Sequence, residues 1–399
     1  MIHPIIRTYH FVFLHLQRLI VFPSPEVIEG PGSINKIPDV LEGNKRKKIL
    51  LVTTAGTLKR GTLDTFLKSL EDKNIQFVTF TDVPPNPTIT SIDNGADLFI
   101  KNKCDAIVAV GGGSVMDCAK VIGARAVKPH QPVSHMKGIF KIHTKLPELY
   151  LVPTTAGTGS EVTVAAVVTD NETHYKYSIN DPSLIPAYAV LDPELLISLS
   201  PAMTAQTGMD ALTHAVEAYT NLYSEKINDE YAKSAVVRIF NSLLGSFRDG
   251  TNIDLRNEML IGSYEAGKAF TRSYVGYVHS IAHAIGGMYD TPHGLADAVI
   301  LPIILDNFGS AIYKPLSELA KTVGLTGNSD KDLAKAFIAE IRRMNSEMNI
   351  PDKLAEIKES DIPELARRAA IEANPTYPVP VIFTKKELER IIRSISTIS

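Results

Sequence analysis

Five residues in the second half of the chain have the types and the spacing of a metal site. Asp210 and His214 are four positions apart, and His279 and His283 form a second such pair. Residues four apart lie one above the other on an α-helix, so each pair can present its side chains to the same point. His293 follows in a stretch with Pro and Gly that predicts a loop. One carboxylate oxygen and up to three imidazole nitrogens can therefore bind a single divalent cation.

An ordinary hydrogen bond within a helix is the alternative interpretation of the first pair. The surrounding sequence favours a metal, because Asp210 and His214 interrupt an apolar helical face that includes Met209, Leu212 and Val216. An unpaired carboxylate on such a face is costly to bury. A bound cation would offset that cost.

Strands and helices alternate in the first half of the chain. Apolar runs predict strands at 48–53, 76–80, 105–110 and 150–152, with helices around 63–70 and 92–103. This alternation is typical of a parallel sheet with helices on both faces. From Pro201 onward the pattern is helical, so every candidate metal ligand falls in an all-helical second half. The helices predicted there are 228–247, 254–270, 279–288, 330–348, 360–373 and 385–395.

The predicted strand at 105–110 runs directly into Gly111-Gly-Gly-Ser. Glycines at a strand-to-helix corner let backbone N–H groups approach a phosphate at the positive end of the helix. The motif is neither the G-x-G-x-x-G fingerprint nor a Walker loop, so a tight turn without a ligand is the alternative. Ser114 and Asp117 have the spacing of a capping box, which indicates a structural role for Asp117.

A second polar loop, Pro153–Glu161, follows the strand at 150–152 and is rich in Thr, Ser and Gly. Hydroxyl groups and flexible backbone suit the sugars and the diphosphate of a dinucleotide. A surface loop of polar turn residues would have a similar composition, so cofactor binding by this loop is a hypothesis.

Composition limits the class of protein. The chain has 399 residues, 44% of them hydrophobic, and a formal net charge of −3. This charge favours neither nucleic acid nor an anionic membrane surface as a partner. The two cysteines, Cys104 and Cys118, form no Cys-x-x-Cys motif, so a reduced, cytoplasmic compartment is expected.

The N-terminal segment has a composition of its own. The first 25 residues contain no Asp or Glu and include an apolar run at 11–22. That run is shorter than a membrane span. We interpret it as an amphipathic helix that covers the body of the protein or a partner subunit, with a cleaved organellar presequence as the alternative.

Several of these motifs resemble those of the iron-containing (group III) alcohol dehydrogenase family, from about Pro25 to the end of the chain. They are Gly111–Asp117, Pro153–Glu161, Gly208–Tyr219, and His279–His283 followed by Thr291–Gly294. The resemblance implies an α/β N-terminal dinucleotide-binding, Rossmann-like domain and an all-α C-terminal metal-binding domain, the two-domain fold of the dehydroquinate synthase type. The expected boundaries are an N-terminal helical extension at 1–24, the α/β domain at 25–195 and the helical catalytic domain at 196–399.

The resemblance also implies roles for individual residues. The metal ligands would be Asp210, His214, His279 and His293. His283 lies close to them in the family, and we expect it to relay a proton in catalysis, with an ordinary packed histidine as the alternative. The implied cofactor contacts are Gly112, Gly113 and Ser114 at the diphosphate, Thr154, Thr155 and Thr158 around the ribose and nicotinamide, Asn86 and Thr88 on the adenosine side, and Lys176.

Two positions depart from the family pattern. Thr54 stands in the cofactor site where many NAD-preferring members carry an Asp. That carboxylate would accept a hydrogen bond from the ribose 2′-OH and repel a 2′-phosphate, so Thr54 leaves NADP open beside NAD. Tyr274 belongs to a segment, 271–277, that is bulkier than in relatives, and we expect it to narrow the substrate pocket.

The implied function is reversible hydride transfer between a small primary alcohol, or its aldehyde, and NAD or NADP. We expect a homodimer that binds Fe(II), with Zn(II) as the alternative because carboxylate and imidazole ligands suit both ions. Polyol oxidation, as in glycerol dehydrogenases, is one alternative function, and a lyase resembling dehydroquinate synthase is another. A non-catalytic structural subunit is a third, and the full set of metal ligands argues against it.

Overall fold

The computed structural model describes residues 2–17, 19–171 and 176–398. The described chain divides into two compact units. One takes in Phe22–Ser198 and Thr251–Leu260, and the other takes in the described parts of Met1–Val21, Leu199–Gly250 and Ile261–Ser399.

The first unit contains the described strands and the shorter helices. Its strands are β1 (Glu26–Glu29), β2 (Lys48–Val52), β3 (Gln76–Phe80), β4 (Ala106–Gly111), β5 (Gly138–Ile139), β6 (Glu148–Pro153), β7 (Ala165–Thr169), β8 (Lys176–Asn180) and β9 (Tyr188–Leu191). After α1 (Ile2–Gln17), which belongs to the other unit, its helices are α2 (Ile37–Gly43), α3 (Ala55–Lys59), α4 (Asp64–Asp72), α5 (Ile89–Lys101) and α6 (Gly113–Val127).

Six of these strands form one parallel sheet in the order β1-β9-β6-β4-β2-β3. The strand β2, which lies between β4 and β3, is buried on both faces, since Ile49 and Leu51 are as fully buried as the alternating Leu50 and Val52. Helices cover both faces of such a sheet. The predicted parallel α/β sheet is therefore confirmed, although the edge strand β1 and its neighbour β9 were not predicted. A smaller sheet, β5-β8-β7, pairs β8 antiparallel with β7 and parallel with β5.

The second unit is helical. Its longer helices are α7 (Pro201–Thr220), α8 (Lys226–Arg248), α9 (Ile253–Ser273, of which the first part belongs to the other unit), α10 (Tyr277–Tyr289), α11 (His293–Phe308), α12 (Tyr313–Thr322), α13 (Asp330–Glu347), α14 (Ile362–Ala373) and α15 (Lys385–Ser394). These elements confirm the six helices predicted from the sequence. The stretch His293–Thr322 is long and apolar enough to cross a membrane, but 61% of its most apolar window is buried inside the fold, as in a core helix.

The central helix of this unit is α7. It begins at Ser200, whose hydroxyl accepts a hydrogen bond from the backbone N–H of Met203 at 3.2 Å, and Pro201 occupies its first turn. Every residue from Gly208 to Thr220 is buried. A helix that is buried on all sides holds its polar side chains rigidly, which is the condition for a well-ordered binding site.

Charged side chains of α6 fix the polar loop 153–161 and the chain that follows it. The Lys120 ammonium donates hydrogen bonds to Thr163 O, Thr163 Oγ1 and Ala165 O at 3.0, 3.1 and 2.8 Å. Asp117 accepts from Ser160 Oγ at 2.7 Å and from Val167 N at 2.9 Å. The structural role expected for Asp117 agrees with these contacts, but the capping-box interpretation is wrong, because Asp117 binds the neighbouring loop and Gly112, the N-cap residue of α6, provides no side-chain cap.

Glu161 and Lys120 are both buried, and burial shifts each toward its neutral form. Burial raises the pKa of Glu161 to about 7 and lowers the pKa of Lys120 to about 8. Among the described residues, neither carboxylate oxygen of Glu161 has a hydrogen-bond partner. The protonation of Glu161 is therefore linked to the stability of the fold.

We expect the contribution of Glu161 to the free energy of unfolding to decrease as the pH rises from 4.5 to about 7. Its folded pKa lies above its ordinary value, so the folded state binds more protons in this window; the stabilisation is complete below pH 4.5 and is lost as the pH rises through about 7. Glu161→Gln, which mimics the neutral acid, should remove this decrease and gain on the order of 3 kcal/mol over the wild type at high pH. Urea denaturation of the cofactor-free protein at about pH 5 and about pH 8 measures the difference.

The matched control is Glu71→Gln, since Glu71 is exposed. That variant should keep the pH dependence of the wild type. Parallel stability curves for Glu161→Gln and the wild type would contradict the expectation.

Candidate active site

Helix α7 presents a carboxylate and an imidazole to one point. Asp210 and His214 lie on the same face, and Asp210 Oδ1 is 3.5 Å from His214 Nδ1. The His214 ring is stacked on the Phe270 ring, with centroids 4.2 Å apart and planes at 16°. Stacking and burial fix the orientation of the imidazole, so α7 and α9 together position this pair.

Helix α10 contributes His279, and Glu217 of α7 sets its orientation. The Glu217 carboxylate accepts hydrogen bonds from Gly276 N at 2.7 Å and Val278 N at 2.8 Å, and so caps the start of α10. It also lies 2.6 Å from His279 Nδ1. An Nδ1–H donated to a carboxylate leaves the lone pair on Nε2, which is the nitrogen that faces Asp210 at 3.7 Å.

Helix α11 contributes His293. The sequence placed His293 in a loop, and that prediction is wrong, because His293 is the first residue of a helix that follows Pro292. The helix start packs closely on α7: a Cβ at Gly294 would lie 2.1 Å from the backbone oxygen of Gln206. This close approach, which only glycine permits, brings His293 Nε2 to 3.7 Å from Asp210 Oδ1.

A second carboxylate that the sequence reasoning missed, Asp297, completes the cluster. Its Oδ2 is 3.1 Å from His293 Nε2 and 4.0 Å from His279 Nε2. One ligand atom each from Asp210, His279, His293 and Asp297 lies within 4.8 Å of the others. Donor atoms about 2.1 Å from one ion are roughly 3–4 Å apart, so these separations fit a single divalent cation.

The missed residue had a sequence signal. Asp297 is four positions after His293 and is the only charged residue between Leu295 and Leu305. The same i, i+4 rule that paired Asp210 with His214 would have paired these two, had His293 been placed on a helix. Pro302, inside the helix, weakened the helical pattern.

Buried polar atoms in the cluster indicate that a cation belongs there. Within the described chain, Asp210 Oδ1, His279 Nε2 and both carboxylate oxygens of Asp297 are buried and make no hydrogen bond. Such atoms are rare in native proteins because each costs desolvation energy. Carboxylate oxygens and neutral imidazole nitrogens are the ligands of Fe(II) and Zn(II), so the residues fit the metal.

Burial and the neighbouring ionisable groups shift the pKa values of the side chains in this cluster. Burial raises the pKa of Asp297 well above its usual value. Burial would also raise the pKa of Asp210, but the interactions of its carboxylate with His214, His279 and His293 outweigh burial and lower that pKa. Burial lowers the pKa of His293 well below its usual value, which favours the neutral imidazole that a metal requires.

His283 lies beside this cluster. Its ring is stacked on that of His293, with centroids 4.9 Å apart, and its Nδ1 is 2.6 Å from Glu372 Oε1. Tyr377 donates its hydroxyl to the same Glu372 oxygen at 2.9 Å. The structure therefore adds Glu372 and Tyr377 to the residues around the centre, and neither had a motif that would have revealed it.

The expected cofactor residues of the other unit lie at one edge of its parallel sheet. Neighbouring parallel strands end at the same edge, and Gly111 at the end of β4 is paired with Pro153 at the end of β6. The residues that follow these strand ends are Thr54 after β2, Asn86 and Thr88 after β3, Gly112, Gly113 and Ser114 after β4, and Thr154, Thr155 and Thr158 after β6.

Close packing joins the glycine corner to the threonine loop. A Cβ at Gly113 would lie 2.6 Å from Thr158 Cγ2, and one at Gly112 would lie 3.5 Å from Thr155. Glycine at 113 therefore permits this close approach at the start of the 15-residue helix α6. Ser114 donates its hydroxyl to Pro85 O, which ties this corner to the Asn86–Thr88 loop.

Thr54 and Thr88 also serve as helix caps. Thr54 accepts from Thr57 N at 3.1 Å at the start of α3, and Thr88 accepts from Ser91 N at 3.2 Å at the start of α5. Lys176, at the start of β8, is paired with Thr169, which in turn forms a β-bridge with Thr88. The backbone of Lys176 therefore lies two strand spacings from Thr88, with Thr169 between them.

Two family models together span most of the chain. Residues 24–193 match the model described as iron-containing alcohol dehydrogenase, and residues 204–396 match the C-terminal domain of the Fe-containing alcohol dehydrogenase family. The chain belongs to the iron-containing alcohol dehydrogenase family. Helix α1 lies outside both matched ranges.

Individual relatives match over more than nine tenths of the chain. The 1,3-propanediol dehydrogenase of Klebsiella pneumoniae is 37% identical over 370 residues, covering 91% of this chain and 95% of that protein. The NADPH-dependent butanol dehydrogenase of Clostridium saccharobutylicum is 32% identical over 382 residues, covering 93% and 96%. The solved structure of a 1,3-propanediol oxidoreductase matches with a TM-score of 0.90 at 36% identity, covering 94% of this chain and 99% of that one.

These matches establish the class of enzyme. The chain is an NAD(P)-dependent alcohol dehydrogenase with an α/β N-terminal domain and a helical C-terminal domain. Neither the glycerol-type polyol dehydrogenase nor the dehydroquinate-synthase-like lyase is favoured.

We expect Glu217→Gln to lower the affinity for a divalent cation by roughly 10–100-fold, the usual effect of losing a carboxylate that orients a metal-binding histidine. The amide would lose one of the acceptor oxygens shared by Gly276 N, Val278 N and His279 Nδ1. Competition with a chromogenic chelator measures the affinity.

Asp352→Asn is the control, because it makes the same chemical change at an exposed position. It should bind metal like the wild type. Equal affinities of Glu217→Gln and the wild type would show that the orientation of His279 does not depend on this carboxylate.

Proposed function

We propose that Asp210, His214, His279 and His293 hold one Fe(II) or Zn(II) ion and that the enzyme interconverts small primary alcohols and their aldehydes with NAD or NADP. The convergence of Asp210, His279 and His293 supports the proposal, because Asp210 Oδ1 and His279 Nε2 are buried and make no hydrogen bond among the described residues. His214 Nδ1 lies 3.5 Å from Asp210 Oδ1. Asp297 is a further carboxylate within reach of the same ion. Family membership favours iron, whereas the ligands themselves suit either metal.

The bound cation would act as a Lewis acid toward the alcohol oxygen, which favours loss of the hydroxyl proton and of the hydride. The protein's own contribution is rigidity. Asp210 and His214 are fixed on a buried helix, and Glu217 holds the Nε2 lone pair of His279 toward Asp210. Ligands fixed in this way need no reorganisation during the reaction.

We assign the proton transfer to His283. Its Nδ1 is engaged with Glu372, so its Nε2 is the atom left to exchange a proton with substrate or water. About a third of its side chain, 34%, is exposed, which gives the proton a route to solvent.

The cofactor is assigned to the sheet edge of the other unit. Backbone N–H groups of Gly112, Gly113 and Ser114, at the start of α6, would bind the diphosphate. Thr154, Thr155 and Thr158 would contact the ribose and nicotinamide. Thr54, Asn86, Thr88 and Lys176 would contact the adenosine side.

Relatives indicate the class of substrate. One is named for 1,3-propanediol and another for butanol, so short primary alcohols and terminal diols are the substrates proposed for this chain. We also propose a cytoplasmic homodimer with no nucleic-acid or membrane partner. The boundaries at 1–24, 25–195 and 196–399 are part of the same proposal.

Asp210→Ala and His279→Ala should each lose bound metal and lower kcat/KM by at least roughly 100-fold, because the metal supplies several kcal/mol of transition-state stabilisation. The assay is the absorbance of reduced nicotinamide with short alcohols, diols and aldehydes and with both cofactors, after anaerobic loading with iron or zinc. Metal analysis accompanies it. His130→Ala, a change at an exposed histidine, is the control. Wild-type metal content and turnover in both variants would remove the proposed centre.

Thr54→Asp should lower kcat/KM for NADP relative to NAD by at least roughly tenfold, because a carboxylate at this position repels the 2′-phosphate. Asp is as good a helix cap as Thr, so α3 should be retained. Thr54→Asn is the control, since it caps the helix without adding a charge. An unchanged cofactor ratio in Thr54→Asp would place the adenosine ribose elsewhere.

A further inference from the structure

The N-terminal helix α1 packs against two segments that lie next to the proposed catalytic centre. The Arg7 guanidinium donates to Val379 O at 2.6 Å and to Pro380 O at 2.8 Å. At the far end of the helix, the Tyr274 hydroxyl donates to Gln17 Oε1 at 3.2 Å. Gln17 is buried, so this hydrogen bond is shielded from competing water.

Tyr274 has a backbone conformation that needs support. Its φ of 63° lies in the left-handed region, which is costly for a bulky residue. The Asn221 amide supplies part of that support by donating to the carbonyl oxygens of Ser273, Tyr274 and Val275 at 2.9, 3.2 and 3.0 Å. These bonds fix the backbone of the turn, whereas the direction of the Tyr274 ring depends on its hydroxyl and therefore on Gln17.

The Tyr274 ring lies beside the hydrogen-bonded groups around His283. Its centroid is 6.4 Å from that of Tyr377. Tyr377 donates to Glu372, and Glu372 binds His283 Nδ1. The turn that contains Tyr274 also leads directly into Gly276, whose N–H binds Glu217. The Tyr274 ring therefore lies beside Tyr377, and the Tyr274 backbone leads to the residue that binds Glu217.

We propose that α1 is part of the substrate-binding apparatus and that Gln17 is a positioning residue, which holds Tyr274 as a wall of the alcohol pocket and so limits the length of the substrate. The proposal rests on the proposed function at this same site. It is a property of this chain's own N-terminal extension, since the family match begins at residue 24. Arg7 anchors the same helix to the segment that follows Tyr377. Helix α1 therefore contacts both the turn that contains Tyr274 and the segment next to Tyr377.

Gln17→Leu, which keeps the size of the side chain and removes the acceptor oxygen, tests the proposal. It should raise the ratio of kcat/KM for 1-hexanol to that for 1-propanol by roughly fivefold to tenfold, chiefly through a lower KM for hexanol, because methylene groups in an apolar pocket discriminate on this scale. Metal content should stay at the wild-type level. Tyr274→Phe should shift the ratio in the same direction, and the double variant should add nothing further.

Two controls separate positioning from general damage to the helix. Gln17→Glu keeps an acceptor oxygen and should restore the wild-type ratio. Val12→Ala changes an exposed position on the same helix and should leave the ratio unchanged. The expected tenfold change in the ratio corresponds to about 1.4 kcal/mol. A ratio in Gln17→Leu that stays within about twofold of the wild-type ratio overturns the proposal.

Failure of the proposed function is recognised separately. It would appear as a wild-type enzyme that oxidises none of the alcohols with either cofactor. In that case, nitration of the Tyr274 ring by tetranitromethane, located by mass spectrometry, decides the inference. Faster nitration of Tyr274 in Gln17→Leu than in the wild type supports the positioning role, and identical nitration overturns it.

Discussion

The carboxylate of Glu217 determines how the ligand-bearing helices meet. It binds two backbone N–H groups at the start of α10 and the Nδ1 of His279, so one buried anion caps a helix and selects an imidazole tautomer. Gly276 is required for the same reason, since a Cβ there would lie 2.7 Å from Glu217 Oε1. The direction of His279 Nε2 therefore follows from the backbone of α10 as well as from a side-chain rotamer.

A bound cation accounts for the charges in this cluster. Asp210, Asp297 and Glu217 are three buried carboxylates around His279, and burial opposes their charged forms. The hydrogen bonds of Glu217 offset the cost of burying its carboxylate, whereas Asp210 Oδ1 and the oxygens of Asp297 have no hydrogen bond in the described chain. A divalent ion would compensate both at once. Metal binding and the stability of the helical unit are therefore coupled.

Sequence periodicity revealed features that depend on neighbouring residues in the chain, and it missed contacts between residues that are distant in the chain. Strands such as β2 and β4 can be predicted because they are apolar runs in the sequence. The Asp210–His214 and His279–His283 pairs can be predicted from helical spacing. The edge strand β1 and its neighbour β9 are short and carry weak patterns. Glu217 and Glu372 could not be found in this way, because their partners are 62 and 89 positions away along the chain. Asp297 was missed for a different reason: His293 was placed in a loop when it begins a helix.

The two kinds of functional residue occupy different kinds of structure. The proposed metal ligands Asp210, His214 and His279 lie within long, buried helices, where a change of position would disturb the core. Thr54 and Tyr274 lie at a helix cap and in a turn, positions whose side chains can change while the helices stay fixed. A family built this way can vary its cofactor and its substrate while keeping one centre. In this chain α1 contacts the same turn through the hydrogen bond from Tyr274 to Gln17, and that turn lies outside the metal-ligand helices α7 and α11.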